Sequence, residues 1–419
     1  MKFNNIYLSF LLFGGIFVSN LQVLLNQYGL TSMNLPLINT LMIFCGGFYL
    51  LIKNTKCFTL LKKKYINTYY IALSLYIIYM FNYCLINVIH LRTYMGNTSP
   101  TIYFYDVIKI GLMTLFLLPY KHINFEINKV LKYSVLLLLI SNLSFLFSIN
   151  FSFSNTYNGY IADDLEGGGG SLAVGFSAGA LILTSIVYFN RKMQMKKITR
   201  KILNIICIFI ALITILLCGK RGPILWTIVT YFLYLLIGNI KQAKKLTIIL
   251  ILLGCIVYIC TIYSKELISI ISNFNNTLAL QIEETIEFGQ VSGRDKIYID
   301  AIKQIKNSPL FGSYFLITNG IYQGVYPHNI ILEILMTFGF ISGLPLLYSI
   351  YKALKCIFKM FKEKSIFSWF GIIFIFYFLE SMSTSSLYNP QIWLTMILSF
   401  IMFHRYESKK TSLNNNTHF

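Results

Sequence analysis

Long apolar segments with few charges recur from end to end of this 419-residue chain, and they limit the folds that it can adopt. About 17 to 25 apolar residues suffice to cross the hydrocarbon core of a bilayer as one helix. About twelve such segments are predicted, near residues 6–28, 35–52, 66–90, 100–119, 131–150, 171–189, 202–219, 222–239, 246–263, 329–350, 366–385 and 389–404. Since every backbone polar group in lipid must be paired internally, the pattern predicts an all-α polytopic membrane protein, a single integral membrane domain over residues 1–419.

The composition supports the same fold class. Hydrophobic residues make up 56% of the chain and charged residues 12%, with a mean hydropathy of +0.65, whereas a soluble domain has about 25% charged residues. The eight cysteines are scattered without a C-x-x-C pair or a Cys/His cluster, so neither a disulfide framework nor a metal site is predicted. No cofactor is predicted. The first segment has no small-residue cleavage site and is expected to remain as an anchor.

The basic residues predict the orientation of the chain in the membrane. Alternate connections, together with both termini, hold 26 of the 35 Lys and Arg residues but three of the 15 acidic residues. Positive residues concentrate on the cytoplasmic side of membrane proteins, so both termini are predicted to be cytoplasmic. The net charge of +20 is therefore interpreted as a topology signal, and no nucleic-acid partner is expected.

Two connections on the opposite, outer side are long. The first covers residues 151–170, and the second, about 264–328, is the longest polar segment of the chain. Within the second, Ser292 and Asp295 have the capping-box spacing, which predicts an amphipathic helix over about 293–307. Tyr298, Ala301, Ile302 and Ile305 would form its apolar face. Loops of this length are usually functional or disordered.

A basic pair, Lys220 and Arg221, lies at a tight outer junction in the segment "CGKRGPILW". Positive charge is otherwise sparse on that side. The two cations either extend to the lipid headgroups or bind an anion, and the sequence leaves both interpretations open. Arg294, at the start of the amphipathic helix, is a further outer cation, and its charge opposes the helix dipole there.

The outer end of a late span begins with "YPHNIILE". Asn329 is a suitable helix N-cap, and His328 is either a solvated residue at the membrane surface or a functional group. Glu333 lies one turn inside the span, where a carboxylate should face protein or a wet cavity. Gly339 and Gly343 form a GxxxG pair, which is typical of close helix packing. Glu380, in a later span, is a further candidate for a cavity-facing group.

These motifs together resemble the O-antigen polymerase and ligase family, whose members are membrane glycosyltransferases related in fold to the GT-C class. The likeness rests on "KRG" after a mid-chain span, "SGRDKIYIDAIKQIKNSPLFG" at the end of the long outer loop, and "YPHNIILEILMTFGFISGLPLL". It is sharp over about 290–347, moderate at 218–226, and topological before that. The order, spacing and loop position of the motif residues all agree.

The resemblance implies the site. Outer arginines of the family hold the diphosphate of an undecaprenyl-linked glycan, and a histidine acts as base; the matching residues here are Arg221, Arg294 and His328. Lys220 stands where the family often has serine, and it is predicted to bind substrate together with Asn329 and Glu333. No metal is required if the arginines supply the electrostatic stabilisation.

The predicted function is polymerisation of undecaprenyl-diphosphate-linked repeat units into a surface polysaccharide, on the outer face of a bacterial cytoplasmic membrane. A ligase that moves the finished glycan to lipid A core or another acceptor has the same donor chemistry and remains an alternative. A flippase for lipid-linked oligosaccharides is the alternative from another class, although the chain has no convincing internal repeat. Expected partners are the lipid-linked oligosaccharides, membrane lipid and, from the family, a chain-length regulator.

Overall fold

The computed structural model divides the chain into two compact units, each described here by itself. Unit 1 comprises residues 1–46, 124–290 and 361–376, and unit 2 comprises residues 47–123, 291–360 and 377–419. The structure describes residues 1–30, 34–86, 91–93, 96–98, 100–148, 171–191, 196–218, 221–240, 242, 244–248, 251, 254, 262–273, 279–280, 282–283, 294–384 and 386–416.

Helices form almost all of the described regular structure, which confirms the predicted helical class. They are α1 (Lys2–Gln27), α2 (Leu35–Lys53), α3 (Lys64–Ile86), α4 (Pro100–Leu115), α5 (Ile127–Ser148), α6 (Ser171–Phe189), α7 (Lys197–Cys218), α8 (Arg221–Asn239), α9 (Ser264–Ser272), α10 (Arg294–Asn307), α11 (Ile330–Lys362), α12 (Ser368–Ser381) and α13 (Pro390–Asn416). Short 3-10 helices span Thr55–Lys62 and Leu118–Lys121. Strands β1 (Leu91–Thr93) and β2 (Gly96–Thr98) form one small antiparallel hairpin.

Seven of the described helices are long and apolar enough to cross a membrane, and two shorter apolar helices, Ala173–Phe189 and Ser368–Ser381, accompany them. The chain is therefore a multi-pass membrane protein. The count of about twelve spans and the GT-C class stay predictions. Most of the predicted span at 246–263, and the whole of the 151–170 loop, lie outside the described residues. Helix α11 continues to Lys362, beyond the predicted end at 350.

Small residues set the packing of helix α8 in unit 1. A Cβ on Gly175 of α6 would lie 2.8 Å from Pro223 Cγ, and one on Gly179 would lie 2.4 Å from Thr227 Oγ1. These two glycines are four residues apart, so one face of α6 lets the N-terminal turns of α8 approach closely. This contact fixes the start of α8, where Arg221 is the first residue.

Aromatic side chains form the centre of unit 2. The rings of Tyr76 and Trp393 stack at 5.5 Å between centroids, and Tyr76 also contacts the Phe338 ring edge to face at 5.8 Å. Tyr69 donates its hydroxyl to the Trp393 carbonyl at 3.1 Å. Because Trp393 is fully buried and its indole N–H donates to the Leu387 carbonyl at 2.7 Å, this core anchors the segment that precedes α13.

Helix α11 is interrupted at Gly339, whose φ of 68° and ψ of −170° are not helical. The loop after α10 fills the interruption: Ser313 N–H donates to Met336 O, and Phe340 N–H donates to Pro309 O. A Cβ on Gly339 would lie 2.5 Å from the Leu310 carbonyl carbon. Gly339 therefore lets the backbone of the loop after α10 cross α11 at close range. The predicted role in helix packing was wrong for this glycine.

Candidate active site

Helix α10 carries Arg294 as its first residue and packs its apolar face on α11. Ile297, Ala301 and Ile305 are buried, and they form one cluster with Ile317 and Met336. The predicted face was wrong in part, because Ile302 is 42% exposed and Ile297 takes its place. The helix is thereby fixed against protein along the 297–301–305 stripe.

A buried glutamine ties α10 to the loop that follows it. The Gln304 amide N–H groups donate to the Tyr314 and Leu316 carbonyls, both at 3.1 Å. Its carbonyl oxygen accepts from the Thr318 N–H at 2.8 Å. Since a buried amide is stable only when its donors and acceptor are paired, these bonds set the position of α10, and with it that of Arg294.

His328 lies two residues before the start of α11. Its backbone conformation is unusual for a residue other than glycine. Its φ is 51°, in the left-handed region, which costs about 1 to 2 kcal/mol for an L-residue. The Tyr326 ring contacts the imidazole at 4.2 Å between centroids, and Nδ1 lies 3.3 Å from the Thr384 carbonyl oxygen. A carbonyl accepts but cannot donate, so in this contact Nδ1 carries the proton and Nε2 keeps its lone pair.

The surroundings of His328 favour the neutral imidazole. Burial lowers its pKa below the usual value, the Thr384 carbonyl raises it in part, and the positive charge of Arg294 lowers it again. The pKa of Tyr326 is raised, first by burial; Glu333 and Glu380 raise it further, whereas the hydrogen bond from Tyr388 and the charge of Arg294 lower it. Arg294 thus acts electrostatically on both Tyr326 and His328, whereas the two carboxylates act on Tyr326.

Glu333 joins the first turn of α11 to the segment 382–389, which we call the 382–389 turn. The carboxylate is fully buried and accepts a short hydrogen bond from Ser386 Oγ. The Leu387 N–H lies 3.1 and 3.0 Å from its two oxygens. Both Glu333 oxygens thus bond to the protein's own turn, and the predicted contact of Glu333 with substrate stays a prediction.

Asn329 is the N-cap of α11. Its Oδ1 accepts from the Ile331 and Leu332 N–H groups at 3.0 and 3.2 Å, which satisfies two donors that every helix start leaves without a helical partner. Its Nδ2 lies 3.4 Å from the Met382 carbonyl. The amide thus holds the helix start against the 382–389 turn, directly beside His328.

Glu380 lies in the last turn of α12, just before the 382–389 turn. Its backbone carbonyl accepts from Thr384 N–H at 2.9 Å and from Thr384 Oγ1 at 3.1 Å. The carboxylate is buried at 6% exposure, with Oε1 3.5 Å from Asn389 Nδ2. Within the described residues Oε2 has no hydrogen-bond partner. A buried carboxylate oxygen in that state can accept a further hydrogen bond from a donor.

The structure brings together four of the predicted site residues, Arg294, His328, Asn329 and Glu333, in unit 2. Arg221 belongs to unit 1, where it starts α8. Lys220 lies outside the described residues. In the described part of the chain no group of three or more His, Cys, Asp or Glu side chains is placed to hold a metal ion.

Sequence reasoning missed Tyr326 and the 382–389 turn. Tyr326 stands two residues before His328 in the motif "YPHN", and that proximity was the available signal. Thr384 and Ser386 gave none, because they are 56 and 53 residues from their partners His328 and Glu333. A single sequence contains no information that pairs such distant positions.

Comparison with known proteins bears on the stretch that carries these residues. The family model described as O-antigen ligase matches residues 206–347, a range that includes Arg221, Arg294, His328 and Glu333. Searches of the curated proteins and of the solved structures found no match. Members of the matched family are glycosyltransferase-like membrane enzymes. The match confirms the predicted family, that of the O-antigen polymerases and ligases, over residues 206–347 of the chain.

Proposed function

We propose that this protein polymerises lipid-diphosphate-linked oligosaccharide repeat units into a surface polysaccharide. The observation that carries the proposal is His328: a neutral imidazole held in a left-handed backbone, with Nδ1 on the Thr384 carbonyl and a cation nearby, inside the stretch that matches the family. Backbone strain of this kind persists where the surroundings enforce it, and such positions cluster at active sites.

His328 is the general base of the proposed reaction. A hydroxyl of the acceptor sugar attacks the anomeric carbon of the donor, while the bond from that carbon to the diphosphate oxygen breaks. The proton of the hydroxyl passes to Nε2 of His328, and the electron pair of the broken bond leaves with the lipid diphosphate. A base in this role contributes about 10²- to 10⁴-fold to the rate.

Arg294 stabilises the diphosphate on which negative charge develops. The donor carries its own leaving group, so the reaction needs no nucleotide sugar. Each charge-assisted hydrogen bond is worth about 1.5 to 3 kcal/mol, and the planar guanidinium fork suits phosphate oxygens. Arg221 enters the proposal through the motif resemblance, as a second diphosphate contact, and Lys220 as an additional cation beside it.

Glu333 and Asn329 are positioning residues in this proposal. Glu333 holds Ser386 and Leu387, and the same turn presents the Thr384 carbonyl to His328. The carboxylate therefore acts on the base through the 382–389 turn. Glu380, with an oxygen free of hydrogen bonds in the described structure, is the group we expect to accept a hydroxyl of the incoming sugar.

A ligase that transfers the finished glycan to lipid A core or another acceptor is the second candidate, because the matched family model is described as O-antigen ligase. The donor site would be the same in both. We favour the polymerase because of the breadth of the family. We further propose cytoplasmic termini, a site on the outer face and a chain-length regulator as partner; the distribution of basic residues supports that orientation.

The test is reconstitution of the purified full chain with undecaprenyl-diphosphate-linked repeat units, with products resolved on a gel. Wild type is expected to give a ladder, and His328→Ala a ladder slowed at least 100-fold. His122→Ala is the matched control, because this exposed histidine lies outside the site and its loss should leave the ladder unchanged.

The products distinguish the candidates. Transfer of single glycans to an added lipid acceptor, without a ladder, would identify a ligase. A lipid-linked oligosaccharide that crosses a vesicle membrane without any new glycosidic bond would overturn both enzymatic proposals and identify a transporter. A ladder that persists in His328→Ala would remove the histidine from the mechanism while leaving polymerisation in place.

A further inference from the structure

Unit 1 contains a polar cavity that the proposed reaction does not use. It has a volume of about 560 Å³ and lies among the ends of α5, α6 and α8 and the start of α12. Its polar wall includes Asn128, Asn190, Arg191 and Lys364. A cavity of this size falls in the range of small-ligand sites, about 300 to 1,000 Å³.

The charge of the cavity is positive. None of the described residues that line it carries a carboxylate, and within the described part of the chain neither Arg191 nor Lys364 forms an ion pair. Glu363 precedes Lys364 in the chain but does not line the cavity. Ser365 and Ser368 also line it; Ser368 is the first residue of α12, and a helix start adds partial positive charge.

Arg191 is held in place from two sides. Nη1 donates to Asn128 Oδ1 at 3.1 Å, and Nη2 donates to the Ile366 carbonyl at 2.5 Å. A guanidinium has five N–H groups, so these bonds orient it while others remain for an anion. Lys364 uses one hydrogen bond, from Nζ to Asn239 Oδ1 at 3.3 Å.

Lys364 also adopts a backbone conformation that disfavours lysine. Its φ is 49°, and it stands two residues after Lys362, the last residue of α11, in the region where helices commonly end on glycine. The chain thus places a cation where glycine would be less strained. A side chain kept against a local preference often has a second task.

The opposite wall of the cavity is apolar and includes Ile186, Leu235 and Ile372. A small soluble anion would not contact the apolar wall, whereas an amphiphile has a charged group for the basic residues and an apolar chain for this wall. On the predicted topology these connections face the cytoplasm, where basic pockets between membrane helices bind anionic lipid headgroups. We propose that the cavity binds the phosphate of an anionic phospholipid through Arg191 and Lys364, with an acyl chain along the apolar wall.

The test measures lipid binding to the purified full chain in neutral detergent, by native mass spectrometry and by the thermal unfolding midpoint. Phosphatidylglycerol is expected to bind about tenfold more tightly than phosphatidylethanolamine, the change that one charge-assisted contact supplies. Inorganic phosphate at the same concentration is expected to leave the unfolding midpoint unchanged.

Lys364→Gly is the discriminating variant, because it removes the cation while it relieves the left-handed backbone. Binding of phosphatidylglycerol should fall about tenfold with no decrease in the midpoint of the lipid-free protein. Lys362→Ala is the control: it removes one nearby exposed charge that does not line the cavity and should retain binding. Equal binding of the two lipids, unchanged binding in Lys364→Gly, or a full response to inorganic phosphate would each overturn the proposal.

Discussion

The two ends of helix α11 invite comparison, because they hold the two residues other than glycine whose φ is positive in the described chain. His328 precedes the helix with a φ of 51°, and Lys364 follows it with a φ of 49°. The two residues have a similarly unfavourable backbone conformation, but they differ in the contacts that hold it. His328 is braced by the Tyr326 ring and the Thr384 carbonyl, whereas Lys364 is an exposed turn residue with one side-chain hydrogen bond.

The difference indicates what each end is built for. In the proposed function His328 is a general base, which must be held in one orientation, and this role agrees with the neighbours that hold its unfavourable conformation. A cation that attracts a phosphate needs only to be near it, because a point charge acts without a fixed angle. On these two proposals, the same local strain serves a rigid site at the start of the helix and a looser one after its end.

The strongest test of the comparison replaces His328 by glycine. The left-handed backbone suits glycine, so the free energy of unfolding should hold or rise by up to ~1 kcal/mol. Polymerisation should fall about 10²- to 10⁴-fold with the loss of the base. Parallel measurement of thermal unfolding and of ladder formation separates the two effects. Polymerisation at the wild-type rate in a fully folded His328→Gly protein would contradict the assignment.

The interruption between the two ends can be tested at Gly339. Alanine there would place a Cβ 2.5 Å from the Leu310 carbonyl carbon, at a φ of 68°, so the loop 309–313 must move. We expect a loss of about 2 to 4 kcal/mol of stability, measured by the thermal unfolding midpoint. Gly343→Ala is the matched control. Its Cβ would lie 2.9 Å from a side-chain atom of Ile334, which can move, whereas the Cβ at Gly339 would meet backbone atoms. Equal effects of the two substitutions would show that the backbone crossing is not the stabilising feature.

Arg294→Gln tests the electrostatic effect of Arg294 on His328 and on the proposed diphosphate contact. Loss of a diphosphate contact worth about 1.5 to 3 kcal/mol should lower kcat/KM about 10- to 150-fold. The cation lowers the pKa of His328, so its removal raises that pKa. In the proposed mechanism the neutral imidazole is the active form, so the acidic limb of the pH–rate profile should then move to higher pH. Arg294→Lys keeps the charge and should keep the limb; movement of the limb to lower pH in Arg294→Gln would refute the arrangement.

Glu333 is expected to stabilise the turn whose Thr384 carbonyl contacts His328. Substitution by glutamine removes the charge-assisted bonds to Ser386 and Leu387, and should lower stability by about 1 to 3 kcal/mol. Polymerisation should decrease more than ligand affinity, because the turn positions the base. A double-mutant cycle with Ser386→Ala isolates the pair, with an expected coupling of about 1 kcal/mol. Independent, additive effects would show that Glu333 acts elsewhere.

Local features of the sequence predicted much of this arrangement. Asn329 was predicted as an N-cap and is one, and the predicted spans at 171–189 and 222–239 agree with α6 and α8 within a residue. Such features depend on a few neighbouring side chains. His328 and Arg294 were predicted as site residues because their motifs are short and contiguous, and these roles stay predictions.

The rest depends on contacts between distant residues. Helix α10 contains two overlapping apolar stripes that share Ala301 and Ile305. Contact with Met336 determines which of the two stripes is buried, and no local sequence pattern reveals that contact. The φ of Gly339 is likewise set by the loop that crosses it. The partner of Glu333 lies 53 residues away, so the sequence predicted a carboxylate that faces protein or a wet cavity without identifying that partner.

The smallest expected effect is at the other end of the helix. Lys364→Gly should raise the free energy of unfolding by about 1 kcal/mol over Lys364→Ala, because only glycine relieves the left-handed backbone. Both variants lack the cation, so any difference in their unfolding midpoints reports the backbone alone. The comparison of the two helix ends requires a similar gain between His328→Gly and His328→Ala. Equal midpoints within each pair would mean that neither turn stores strain; a gain at Lys364 alone would mean that the contacts around His328 already compensate for its conformation.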